Sequence, residues 1–74
     1  MKQVKRYTAN LEDGPFLFGV ESWEVERGDV IVVKDGLEKI VEKFPSRDWQ
    51  TVILTESGRK YMTFQILYYG KRIP

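Results

Sequence analysis

Histidine and cysteine are both absent from the 74 residues. The side chains best suited to proton transfer and nucleophilic attack near neutral pH are therefore missing. A Ser-His-Asp triad, a His-ligated metal and a catalytic thiolate are excluded. Carboxylates remain, and Asp29 and Asp35, at the two ends of an apolar run, are the pair to test. Six residues of extended chain at ~3.3 Å each place them about 20 Å apart, too far for shared acid–base work. Glu24 and Glu26 alternate with Trp23 and Val25 and read as the solvated face of a strand, where charge also guards an edge against aggregation. Gly14, Gly28, Gly36 and Gly58 form no phosphate loop, since a turn accounts for each. The expectation is a non-enzymatic protein with no cofactor and no metal.

Binding chemistry is better supplied. Lys2, Lys5 and Arg6 lie near one terminus, Lys71 and Arg72 near the other, and Tyr7, Tyr68 and Tyr69 interleave with them. If the terminal strands are neighbours, these merge into one basic and aromatic patch. Such a patch suits single-stranded nucleic acid, where phosphate attraction adds to base stacking. Arg59 and Lys60 would extend it. The opposing argument is the charge balance: 12 basic against 11 acidic residues give a net charge of only +1, little for a nucleic-acid binder. The tyrosines could equally cap the core with their hydroxyls outward. Trp49, after a polar turn, is a candidate interface anchor. Trp23 shares its alternation with Val25 and is expected in the core.

These residues must be carried by a mostly β chain. Asp13-Gly14, Asp35-Gly36 and Ser57-Gly58 each separate runs rich in β-branched and aromatic residues, and Gly after Asp or Ser tolerates the positive φ of a tight hairpin. Residues 3–11 read as a first strand and Phe16-Leu17-Phe18 as a second, with Gly19 a candidate bulge. Ser22–Glu26 reads as a strand by alternation, and Arg27-Gly28-Asp29 breaks it. Val30–Val33 is continuously apolar, as in a strand covered on both faces. Residues 49–55, 60–64 and 67–69 supply the last strands, with a turn at 45–48 and another near Gln65. Residues 36–44 are open to two readings. Leu37, Ile40, Val41 and Phe44 fall at helical spacing, with Asp35 and Glu38 as a capping box and Pro45 as a stop. Alternatively Asp35-Gly36 tips a hairpin and 38–44 is its returning strand.

At this length the chain is one domain, 1–74, without disulfides to support a small core. Its 42% apolar content, including two Trp, four Tyr and four Phe, supplies that core instead. Five or six short strands in a meander close most readily into a small barrel. No apolar run is long enough to span a bilayer, and the N-terminus lacks a signal-peptide apolar core. A soluble, cytoplasmic protein that does not engage membranes is expected.

Gly28-Asp29, the apolar run through Val33, Asp35-Gly36, a strand holding Val41, Val52-Ile53-Leu54, Ser57-Gly58 and Tyr61 to Leu67 together resemble the SH3-like barrel of Tudor-type domains. The resemblance covers roughly residues 25–73. It implies a mainly β fold, a small SH3-like barrel of five to six antiparallel strands, with a short helical turn before the last one. In that family an aromatic cage holds methylated Lys or Arg through cation–π attraction. The cage positions would fall near Val33 or Lys34, Lys39, Leu54 and Tyr61. Only Tyr61 is aromatic, so the family's ligand does not carry over. An SH3-type groove for Pro-rich segments would need Tyr and Trp together in residues 12–22, where only Phe16 and Phe18 stand.

The reading that follows is a binding protein acting by protein–protein recognition, as an adaptor, inhibitor or subunit that docks by an edge strand or aromatic patch. The alternative is nucleic-acid binding through the terminal patch. Unpaired edge strands leave a homodimer open. The candidate surface comprises Lys5, Arg6, Tyr7, Trp49, Arg59, Lys60, Tyr68, Tyr69, Lys71 and Arg72.

Overall fold

A computed structural model describes residues 5–45 and 50–74. Seven strands build it: β1 (Tyr7–Leu11), β2 (Gly14–Val20), β3 (Val30–Val33), β4 (Gly36–Pro45), β5 (Thr51–Thr55), β6 (Lys60–Met62) and β7 (Ile66–Arg72). They form one antiparallel sheet in the order β1-β2-β7-β3-β4-β5-β6. The fold is mainly β, with seven strands rather than five to six. It does not close, because β1 and β6 stand at its two edges. The last strand in sequence lies in the interior, between β2 and β3.

All three glycine turns are hairpin tips. In the first two, Leu11 pairs with Gly14 and Val33 with Gly36, so the glycine directly follows a two-residue loop. Gly14 and Gly36 have φ of 119° and 132°, where a side chain would be strained. In the third, the Gly58 N–H bonds to the Thr55 carbonyl and the Thr55 N–H to the Arg59 carbonyl, both at 2.9 Å.

Residues 36–44 are strand, and the helix alternative fails. The first half of β4, Gly36–Lys39, pairs with β3 and the second, Ile40–Pro45, with β5, so long-range partners hold it extended where an isolated two-turn helix would be marginal. The helical spacing of its apolar residues arises from a bulge. Ile40 pairs with Thr55 and Glu42 with Leu54, leaving Val41 extra. Ile40 is buried, whereas Leu37, Val41 and Phe44 are exposed, so the four never share a face.

Ser22–Glu26 is also not a strand. Ser22–Glu24 forms a 3-10 turn, in which the Glu24 carboxylate accepts the Glu21 N–H at 2.8 Å. Val25 is fully buried but Trp23 is 75% exposed. The tight turn breaks the period-two alternation that would have put both on one face.

The sheet buries apolar side chains on both faces, as the unbroken run Val30–Val33 requires. Ile31 and Val33 enter the main core with Val20, Val25, Ile40, Ile53, Tyr61 and Tyr69. Val30 joins Phe16 and Phe18 in a second core on the other face, flanked by Ala9, Leu11 and Val32. The first hairpin curls over this second core, and Asp13 at its tip reaches Lys39 on β4 at 2.9 Å. Two glycines make the packing possible. Gly19 marks a register shift in β2, with φ of 88°. Gly70 lies within β7, against the Phe18 ring and Val30.

Asp29 joins these parts. Its buried carboxylate accepts the Glu26 N–H at 2.8 Å and the Arg72 N–H at 2.9 Å. Lys71 Nζ lies 4.0 Å away and donates to the Glu24 carbonyl at 2.6 Å. Glu26–Asp29 is a turn closed by Asp29 N–H to Glu26 carbonyl, with Gly28 at φ 96°. One carboxylate thus fastens that turn to the far end of β7.

Candidate protein-docking surface

Phe64 in the second 3-10 turn, Thr63–Gln65, and Leu67 at the start of β7 are strongly exposed apolar side chains, as is Trp23 on the first 3-10 turn; of these, Phe64 and Leu67 line one pocket. The second turn is held locally: the Gln65 side-chain carbonyl accepts the Met62 N–H at 2.9 Å, and the Thr63 hydroxyl accepts the Thr51 N–H at 2.8 Å. This lifts Phe64 out of the sheet to 78% exposure. A register shift where β3 meets β7 displaces Leu67, which is 60% exposed. Together they flank a shallow pocket of about 390 Å³ lined by Val33, Lys34, Asp35, Tyr61, Phe64, Gln65 and Leu67.

Its lining is chemically simple. Val33 and Tyr61 belong to the main core and form an apolar floor. Lys34 and Asp35, from the β3–β4 loop, add one charge of each sign. Arg59 approaches Asp35 at 3.8 Å. The phenolic oxygen of Tyr61 and the Asp35 carboxylate both favour the charged guanidinium, raising its already high pKa. Such a surface offers hydrophobic contact and a polar rim, the composition of a protein-docking site. Among the described residues, no group of three or more carboxylates is placed to hold a metal ion.

The residues singled out from the sequence are dispersed. Terminal strands β1 and β7 are not adjacent, since β2 lies between them. Tyr7 and Tyr68 nevertheless meet edge to face at 5.8 Å, and Tyr7 stacks on Phe18 at 5.2 Å. Tyr69 faces the opposite side and is buried; burial raises its pKa, offset in part by Thr63. Lys5 is exposed, while Arg6 pairs with Glu24 at 3.1 Å. Lys71 is occupied by the Glu24 carbonyl. Arg72 is exposed and lies near the Asp13–Lys39 pair. Arg59 and Lys60 sit at the β5–β6 hairpin, on the opposite edge of the sheet from β1. Trp49 and Lys2 lie outside the described residues, as does the turn expected beyond Pro45.

Phe64 and Leu67 were not among the expected site residues. Tyr61 and Phe64 sat inside a strand assigned to 60–64, where alternation hid that the chain turns at Thr63. A signal was present: Phe64, Gln65 and Leu67 crowd two large apolar side chains into a short connection that ought to be polar.

Compared with protein-family models, with curated proteins and with solved structures, the chain matches none. No helix among the described residues is long and apolar enough to cross a membrane.

Proposed function

We propose that this is a non-enzymatic binding protein that recognises another protein through the Phe64–Leu67 surface. The observation that carries the reading is the pair itself: two large apolar side chains, 78% and 60% exposed, beside a pocket with an apolar floor. Exposing them opposes the hydrophobic effect, and a partner that covers them recovers the burial. We further propose an SH3-like barrel, left unclosed between its β1 and β6 edges, as the architecture. Strands β3 to β6 form a meander, a 3-10 turn follows, and β7 returns to pair with β3, with the first hairpin added beyond β7. An intracellular setting fits the lack of cysteine.

The test uses the whole chain as bait in extracts of its native host, alongside Phe64→Ala and Leu67→Ala. Under this reading a partner is retained by the wild type and lost from both variants, with thermal stability unchanged. A partner retained equally by all three refutes it.

One observation favours a second reading, nucleic-acid binding: Tyr7 and Tyr68 present a paired aromatic surface, with exposed Lys5 two residues before Tyr7. Binding of an oligonucleotide at low salt that weakens steeply as salt rises would give this reading the lead.

A further inference from the structure

From the free edge of the sheet we infer that this chain forms a symmetric homodimer by pairing β1 with β1 of a second copy. The inference goes beyond the Phe64–Leu67 reading and does not rest on it.

The two edges differ. β6 is three residues long and begins with Lys60, directly after Arg59. A short, charged strand is a protected edge. β1 is Tyr7-Thr8-Ala9-Asn10-Leu11, with no charge, proline or bulge to discourage pairing. Its outward backbone groups follow from the ladder. The Pro15 carbonyl accepts the Ile73 N–H at 3.0 Å, so Pro15 points its backbone toward β7, and Gly14, Phe16 and Phe18 point theirs toward β1. By the same alternation, their partners Leu11, Ala9 and Tyr7 bond to β2. Thr8 and Asn10 therefore direct N–H and C=O away from the sheet.

A two-fold axis through Ala9 satisfies them. Thr8 of each copy then lies opposite Asn10 of the other, and each such pair exchanges two hydrogen bonds. Tyr7 faces Leu11, and Ala9 faces Ala9, which extends the apolar face above the second core across both copies. The flanking charges select the same register. β1 ends at Leu11 and Glu12-Asp13 is the hairpin loop, so only Arg6 and the first loop residue, Glu12, come close across the axis; Arg6 is then shared between its own Glu24 and Glu12 of the other copy, while Asp13 stays with Lys39. Basic residues precede the strand and an acidic one follows it, so antiparallel self-pairing sets opposite charges at its ends. A parallel pairing would oppose like charges. The dimer would be a continuous fourteen-stranded sheet, twice the seven strands of one chain.

Sedimentation equilibrium of the full chain tests this, over concentrations up to about 1 mM, which spans the weak end of specific association. A concentration-dependent dimer is expected. Asn10→Pro removes an outward N–H without touching the β1–β2 ladder and should weaken association at least about tenfold. Arg6→Glu and Glu12→Arg should each weaken it about tenfold or more by opposing like charges, and the double exchange should restore it. These reversals keep the test valid if Asn10→Pro fails to fold. Phe64→Ala should dimerise like the wild type. A wild type that stays monomeric throughout, a dimer indifferent to Asn10→Pro and both reversals, or a dimer lost in Phe64→Ala would each overturn the inference.

Discussion

Gly70→Ala isolates the packing between β7 and the second core. Gly70 carries no positive φ, so an alanine meets no backbone strain there. A Cβ built at this position would lie 2.7 Å from Phe18 Cε2, 2.8 Å from Val30 Cγ2 and 2.9 Å from Phe18 Cδ2. Real Cβ contacts do not come so close, so the ring and the valine must move. Overpacking of this kind costs ~1–3 kcal/mol. Removing glycine's unfolded-state freedom returns ~0.5–1 kcal/mol. The difference spans about 0–2.5 kcal/mol; with three contacts below 3 Å the upper part, about 1–2.5 kcal/mol, is expected, or a fall in Tm of roughly 4–20 °C for a domain of this size.

The assay is urea and thermal unfolding of four proteins: wild type, Gly70→Ala, Val30→Ala and the double variant. Val30→Ala deletes Cγ2, one of the atoms the new Cβ would meet, so Gly70→Ala should cost about 1 kcal/mol less in that background. Because Tyr7 stacks on Phe18 and touches Tyr68, the displaced ring should also shift the Tyr7 and Tyr68 aromatic resonances. A Gly70→Ala variant as stable as the wild type, or a cost unchanged by Val30→Ala, would refute the packing argument.

Three other outcomes follow from particular residues. Asp29→Ala should destabilise the fold by about 2–4 kcal/mol in urea unfolding, because two part-buried backbone donors, Glu26 and Arg72, lose a charged acceptor at once. Trp23→Ala should leave the unfolding midpoint unchanged within ~0.5 kcal/mol, as expected of a surface site. The Asp13–Lys39 pair should give a small, salt-sensitive pH dependence. Its hydrogen bond and charge hold the Asp13 pKa below its ordinary value and raise that of Lys39. The Asp13 contribution is present above the unfolded carboxylate value and is lost as pH falls through the depressed one; the Lys39 contribution is present below the unfolded ammonium value and is lost as pH rises through the raised one. Urea midpoints across the acid range should fall less in Asp13→Asn than in the wild type, and ~1 M salt should shrink the difference.

The parts of this fold that were legible are those settled by local chemistry. Asp-Gly and Ser-Gly turns specify hairpins because few other residues adopt the required φ, and all three formed. Val30–Val33 announced burial on both faces, and the Phe16/Phe18 and Ile31/Val33 cores supply it. What was not legible depends on distant pairing. Nothing near residues 36–44 reveals that β3 will pair with the first half of that segment and β5 with the second, so a bulge at Val41 imitates a helical period. Trp23 left the core because Glu24 caps Glu21, a side-chain bond that outweighs alternation over so short a stretch. The basic patch depended on the termini being neighbours, and β2 between them separates its members. Of that patch only the Tyr7–Tyr68 contact survives, reached across the sheet through Phe18.

The placement of β7 between β2 and β3 bears on how the chain is made. Residues 66–72 are synthesised after every other strand, yet two hydrogen-bonded seams wait for them. Until they emerge, the first hairpin has no strand to dock on and β3 has one open side. Asp29 likewise waits for the Arg72 N–H. The four seams between consecutive strands can form as the chain emerges, but the two that join the first hairpin to the rest of the sheet form only with β7. A chain cut ahead of Ile66 should behave as an incomplete receptor, and a separate peptide spanning residues 66–74 is the piece that fits its gap.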